Sequence, residues 1–258
     1  MGFNVPTKNN KKLEQLLERI EADAELNQLW RCANVNAVDR FGISDHGEVH
    51  IRIIANAALR VFRLLVEGDV TPSAVKDHGL TVDDAEVIVV LAAALHDVGI
   101  SIHRDDHERY SLIIAYPKAR QLLSELYEEP TLTAMVSETL HAIIAHNSEQ
   151  RCLTIEAGCV KLADALDMTE GRSRIPFDAG QVNIHSVSAL AVKSVQITKG
   201  ELKPVRIEVE LHNSAGIFQM DNLLRKKLYN STLIPFVEVR AAIVEGETEK
   251  RLMTEYRL

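Results

Sequence analysis

Cysteine is scarce. Cys32, Cys152 and Cys159 are odd in number and form no CxxC pair. A disulfide framework and a thiolate metal site are therefore not expected, and reduced thiols in a cytoplasmic setting are. No charged-then-apolar leader opens the chain, and no apolar run reaches about 18 residues, so neither secretion nor membrane spanning is expected. A basic surplus is missing too. Lys and Arg number 29 against 37 Asp and Glu, a formal net charge of -8. Nucleic-acid coating needs the opposite balance. A small phosphorylated ligand stays open, because a metal ion supplies local positive charge. Aromatic residues make up only 5%, so aliphatic side chains must fill the core. No internal repeat is present.

The chain has 258 residues, 46% hydrophobic and 26% charged, the balance of an ordinary globular protein. Apolar spacing divides it into a helical segment at 1–40, a helical domain at 41–175 and a small α+β domain at 176–258. A single helix is predicted over 11–40, with Leu13, Leu16, Leu17 and Ile20 on one stripe. Ser44 and Asp45 can cap a second helix over 46–66, where Ile53, Ile54, Ala57, Ala58, Val61, Leu64 and Leu65 repeat at helical spacing. Residues 67–80, with Pro72 and Gly79, read as a loop. A nearly all-apolar helix follows. Thr81 and Asp84 stand at capping-box spacing before it and Gly99 is the expected C-terminal cap. Further helices are predicted at 106–127, 131–146 and 154–168. After residue 175 the pattern alternates: strands are expected within 194–200, 203–213 and 235–246, and a helix over 216–231.

Polar residues interrupt the apolar helices at a few places. His96-Asp97 closes "LAAALHD", inside what should be core. An unpaired buried carboxylate costs several kcal/mol, so it needs a partner. A shared divalent cation is one answer, and a local His–Asp hydrogen bond at a helix end is another. Eight of the ten histidines stand between 46 and 146: His46, His50, His96, His103, His107, His141 and His146, with His78 in the predicted loop between them. Taken singly, an inward histidine such as His50 is more often a hydrogen-bonded core residue than a ligand. His103 and His107, four apart, often mark a solvated face. His141 and His146, five apart, diverge, so only one of them should point at any common site. Asp164 sits in the apolar run "KLADAL" and also needs a partner. Together these side chains make an imidazole and carboxylate set suited to iron, manganese, zinc, nickel or cobalt.

The ordered pattern of His50, His96-Asp97, His107, His146 and Asp164, in the contexts "HIRIIANAAL", "LAAALHDVGI" and "VKLADALD", resembles the HD-domain superfamily of metal-dependent phosphohydrolases. The resemblance spans about residues 40–175 and leaves the last 80 or so uncovered. It implies a mainly α helical bundle, followed here by the small α+β domain. It also implies that His50, His96, Asp97 and Asp164 hold one divalent ion, with magnesium possible beside the transition metals. His107 and His146 would bind a second ion in binuclear members. Where two adjacent histidines often stand in the family, this chain has His146-Asn147, which leaves the count at one or two and makes His103 and His141 spare candidates.

The activity so implied is hydrolysis of a phosphoester or phosphoanhydride by a metal-activated water, with Asp97 as ligand and orienter. The substrate would be a small molecule, a nucleotide in the first place. A "GYP" motif after the HD pair is missing, which disfavours the cyclic-dinucleotide branch, and there is no long oligomerising insert. Lys161, one turn before Asp164, is the first candidate for a catalytic phosphate clamp. Arg172, Arg174, Arg104 and Arg109 are others, each with solvated surface charge as its plain alternative. His46 and His141 are further substrate-contact candidates. A homodimer through the C-terminal region is expected, and a single monomer mass across a dilution series by light scattering would exclude it. The rival to an enzyme is a non-catalytic scaffold that keeps a structural metal and senses a nucleotide.

Overall fold

Asp23 breaks the long helix expected over 11–40. Its extended backbone sends its N–H to the Ile20 carbonyl, and its carboxylate accepts from Leu26 N–H. The computed structural model, which describes residues 3–169, residues 188–243 and the backbone of 256–257, therefore begins with two helices, α1 (Lys11–Ala22) and α2 (Ala24–Asn34). A π-helical turn follows at Val35–Arg40. The buried stripe changes phase across Asp23, from Leu13, Leu16, Leu17 and Ile20 to Leu26, Trp30 and Ala33, and the capping interaction marks the break.

Helix α3 (Glu48–Glu67) starts after Asp45, whose Oδ1 accepts from the N–H groups of Gly47 and His50. Ile53 faces outward, 43% exposed, against the inward stripe of Ile54, Ala58 and Val61. The expected loop at 67–80 contains a short helix, α4 (Ser73–His78), closed by Gly79 at φ 68°, where the missing Cβ removes the usual penalty. His78 thus ends a helix instead of lying in a loop, and it meets Glu138 at 2.9 Å.

Helix α5 (Val82–Leu95) is the centre. Thr81 and Asp84 form the full capping box, and every residue from Asp84 to Leu95 is buried. Trp30 Nε1 donates to the Ala94 carbonyl at 2.9 Å, satisfying one of the orphan acceptors at the helix end. Around α5 pack α1, α3, α4, α6 (His107–Leu123), α7 (Thr131–Ala145) and α8 (Ile155–Leu166). Gly99 is not the left-handed cap that its position suggested. It lies in a 3-10 turn, Val98–Ser101, against which α6 presses. A Cβ there would stand 2.1 Å from the His107 carbonyl oxygen and 2.3 Å from Ser111 N. Ser111 Oγ accepts from Gly99 N–H and donates to the His96 carbonyl at 2.6 Å. That close approach brings the start of α6 onto the end of α5.

Asp84 has a second duty. Lys12 Nζ and the Tyr127 hydroxyl both donate to its Oδ1, at 2.7 and 2.8 Å. Burial pushes its carboxyl up, but the hydrogen bonds from Lys12, Thr81 and Tyr127 outweigh this and hold it below the ordinary range. A lowered folded-state value contributes stability at neutral pH that drains as pH falls below about 4. Asp84→Asn should therefore show a flatter loss of stability than the parent in that acid window, read by circular dichroism during urea unfolding. Parallel acid profiles would contradict the assignment.

Among the described residues the C-terminal part is a four-stranded sheet in the order β1 (Val192–Lys199), β2 (Val205–Leu211), β3 (Val237–Ile243), β4 (Tyr256–Arg257). The outer pairs are antiparallel, and β2 runs parallel to β3 with Ile207 opposite Val239. A helical run over 217–229, α9, makes the parallel crossover; its middle, Met220–Arg225, is π-helical. One face of β2, Val205, Ile207, Val209 and Leu211, is buried and joins the same hydrophobic cluster as the helices. Strands β1 and β2 pack on α3, and α9 packs on α8. The fold is thus a mainly α bundle followed by a small α+β unit. Among the described residues, no helix is long and apolar enough to cross a membrane. The three cysteines are free thiols.

Candidate metal centre

Helix ends deliver the polar residues to one place. His50 comes from the first turn of α3, His96-Asp97 from the end of α5, and His107 from the first position of α6. His146 follows α7, and Asp164 lies in the last turn of α8. Exposure is 1% at His50, 0% at His96, 3% at Asp97, 6% at His107 and 2% at His146. These values exclude a solvated face.

The ring nitrogens are sorted. Nδ1 of His96 is 2.8 Å from the Ala93 carbonyl, that of His146 is 2.6 Å from the Ile143 carbonyl, and that of His50 is 2.6 Å from Asp167 Oδ2. Nδ1 of His107 is 3.0 Å from the Arg104 carbonyl, with the Arg104 guanidinium beside it. With the proton on Nδ1, the rings of His50, His96 and His146 turn their Nε2 lone pairs inward; at His107 the Arg104 guanidinium, 2.6 Å from Nδ1, is itself a donor to that nitrogen.

Those Nε2 atoms form two close pairs. His50 and His96 are 3.3 Å apart, and His107 and His146 are 3.3 Å apart. Bare lone pairs repel at that distance. It is, however, the spacing of two ligands on one ion with bonds of about 2.1 Å. Asp97 stands between the pairs. Its Oδ2 is 3.3 Å from Nε2 of both His50 and His96, and its Oδ1 is 3.1 Å from His107 and 3.6 Å from His146. Asp164 Oδ1 is 3.6 Å from His50 Nε2. Three triads converge tightly enough to hold an ion: His50, His96 and Asp97; His96, His146 and Asp164; and Asp97, His107 and His146. The donor set fits one or two divalent ions of the kind that imidazole and carboxylate favour.

Electrostatics favour anionic carboxylates here. Burial pushes Asp97 up, yet the charge of His96 and the imidazoles of His107, His146 and His50 around it hold it well below the usual range. Burial likewise pushes Asp164 up, and Lys227, His96 and His50 bring it well below. Burial alone would lower His96, but Asp97 raises it; His146 ends lowered, chiefly by burial.

The remaining candidates disperse. Arg104 lies beside His107. The His46 ring is 5.2 Å from that of His50, with its Nδ1 2.6 Å from the Ser44 carbonyl, outside the ligand triads. His141 Nε2 accepts from Leu153 N–H, which tethers the loop after α7. His103 is exposed and packs edge-on against Phe41, and Arg109 is exposed on α6. Lys161 is fully buried, and its ammonium donates to the backbone carbonyls of Gln150 and Asn230. It therefore pins two loops and is not aimed at the ligand cluster. A spacing of three from Asp164 did not make a common face, because α8 is buried all round. Arg172 and Arg174 lie outside the described residues.

Two residues were missed. Asp167, three after Asp164 in "ADALD", orients His50; its spacing was the available signal. Removing such an outer partner typically costs ~10–100-fold in metal affinity. Asp167→Ala should weaken metal binding by about that factor with the fold intact, read by competition with a chromophoric chelator; an unchanged affinity would refute the role. Lys227 of α9 pairs with Asp164, and nothing in the sequence signalled a residue 63 positions away.

Comparison with known proteins agrees with this geometry. The HD domain family matches residues 53–169, beginning three positions after His50. An uncharacterized protein of Methanocaldococcus jannaschii is 39% identical over 242 residues, covering 94% of this chain and 92% of that relative. No solved structure matches. With the His and Asp ligand pattern folded into one buried cluster, the chain belongs to the HD-domain superfamily, whose members are generally metal-dependent hydrolases.

Proposed function

We propose that this protein is a metal-dependent phosphohydrolase acting on a small phosphorylated compound, with nucleotides the first class to test. One observation carries the reading: Asp97 divides its two carboxylate oxygens between two imidazole pairs. Such a division is suited to one or two divalent ions, of iron, manganese, nickel, cobalt or zinc, with magnesium possible. When bound, these ions polarise a phosphoryl oxygen and make water acidic enough to attack near neutral pH.

The chain's own residues supply the rest. His50, His96, Asp97 and Asp164 would hold one ion, and His107 and His146, with Asp97 shared, the other. The Nδ1 hydrogen bonds keep the rings from turning. Arg104 brings a guanidinium to the His107 end, where it can meet a phosphoryl oxygen. His46, next to His50 but outside the triads, is the histidine proposed to protonate the leaving oxygen.

The test is a phosphoester panel with added manganese, iron, magnesium, nickel or zinc, run beside elemental analysis and His96→Ala. Turnover that needs metal and disappears in His96→Ala supports the enzyme. Turnover equal in both proteins ends it. Tight metal and nucleotide binding without turnover would select the sensing scaffold, for which the burial of the ligands is the supporting feature.

A further inference from the structure

Helix α9 belongs to the sheet unit, yet it sends a cation into the metal centre. The Lys227 ammonium donates to Oδ2 of Asp164. The other oxygen of that carboxylate, Oδ1, faces His50 Nε2 at 3.6 Å. Lys227 thus stands one carboxylate away from the ligand cluster. Asp164 is its sole hydrogen-bond partner among the described residues, and a lysine carries three donor hydrogens. Two remain for a ligand. The side chain is 14% exposed, too covered for a solvated surface lysine and open enough to be reached.

The backbone beneath it is moored. Asn230 Nδ2 donates to the Ser148 carbonyl at 2.7 Å, and its own carbonyl accepts from Cys152 N–H at 2.8 Å and from Lys161 Nζ at 3.4 Å. Thr232 Oγ1 donates to the Thr154 carbonyl at 3.0 Å, and Lys226 pairs with Glu149. The segment after α9 is therefore stitched to the loop that follows His146. Lys161, the lysine favoured by spacing, spends its ammonium on this stitching.

Charge balance asks for such a cation. The centre already holds Asp97, Asp164 and Asp167, and a phosphoryl group adds further negative charge. Arg104 offers positive charge at the His107 end, and Lys227 offers it at the Asp164 end. We propose that Lys227 is a substrate-binding residue: it keeps Asp164 Oδ2 and takes a phosphoryl oxygen with its remaining hydrogens, so that α9 completes the active site. This rests on the phosphohydrolase reading.

Calorimetric titration of inorganic phosphate into the manganese-loaded full-length protein tests it, with manganese content measured in parallel. Lys227→Met should weaken phosphate binding by about tenfold or more at unchanged manganese content, the loss expected for a hydrogen bond between charged groups. Lys227→Arg should retain most of the parent's affinity. Equal affinity in the parent and Lys227→Met overturns the role and leaves the phosphohydrolase reading standing. Loss of manganese together with phosphate also overturns it, since the lysine would then only hold Asp164. A parent that binds no phosphate removes both the role and the reading beneath it. If Lys227→Met fails to fold, Lys227→Gln, which keeps a donor for Asp164 without the charge, is read by the same outcomes.

Discussion

Replacing Asp97 with alanine should empty both halves of the metal centre at once. Among the described residues no other side chain comes within 4 Å of both imidazole pairs: Oδ2 faces His50 and His96, and Oδ1 faces His107 and His146. The expected loss of metal affinity therefore exceeds the ~10–100-fold typical of an outer partner, and metal-dependent turnover falls with it. Asp164→Ala should be milder at the His107 and His146 pair, because Asp164 converges there with His146 alone, whereas Asp97 meets both rings. Asp97→Asn is the sharper control. It keeps the shape and one carbonyl oxygen but removes the charge and the second anionic donor. The fold should survive both changes, since Asp97 lies beyond the last residue of α5 and the helix is held by aliphatic burial. Elemental analysis after dialysis and far-ultraviolet circular dichroism give the two readouts. Metal content unchanged in Asp97→Ala would refute the bridging role.

Breaking the ion pair of Arg63 and Glu86 should have the largest effect on stability. Arg63 Nε and one terminal nitrogen grip both carboxylate oxygens of Glu86, at 2.6 and 2.9 Å. The same guanidinium donates to the carbonyls of Pro6 and Thr7, and Asn10 Nδ2 adds a bond to Glu86. Both residues are 7% exposed. Arg63→Met leaves a buried carboxylate without its cation, which costs about 3–5 kcal/mol. For a chain of this size that lowers the melting temperature by roughly 10 °C. The double variant Arg63→Met, Glu86→Leu should recover much of the loss, because the penalty is the stranded charge more than the lost pair. Calorimetry on all three proteins checks this, with metal content expected to match the parent throughout. A melting point for Arg63→Met within a degree or two of the parent would show the pair to be dispensable.

Much of the buried His and Asp cluster was legible before the fold. His96-Asp97 stood out because a carboxylate in an apolar helix needs a partner, and His146 differed from His141 because five residues turn a helix through well over a right angle. The interruption at Asp23 was missed although the apolar stripe changes phase there, and the short helix α4 hides among Pro and Gly signals. Lys161 shows the limit of spacing arguments. Three residues from Asp164 places a side chain nearby, but a helix buried on every side offers several polar destinations, and two backbone carbonyls took this one.

By itself, the sequence determined which side chains could be ligands and that helices would carry most of them, because chemistry resides in residue types and helical period in local spacing. Tertiary structure decided the rest: that Asp97 bridges two imidazole pairs, that Asp167 sets the His50 ring, and that Lys227 crosses from the sheet unit to Asp164. Those are contacts between distant segments. They arise from how α5, α6, α8 and α9 pack, with Gly99 admitting α6 to contact, and no local pattern encodes them.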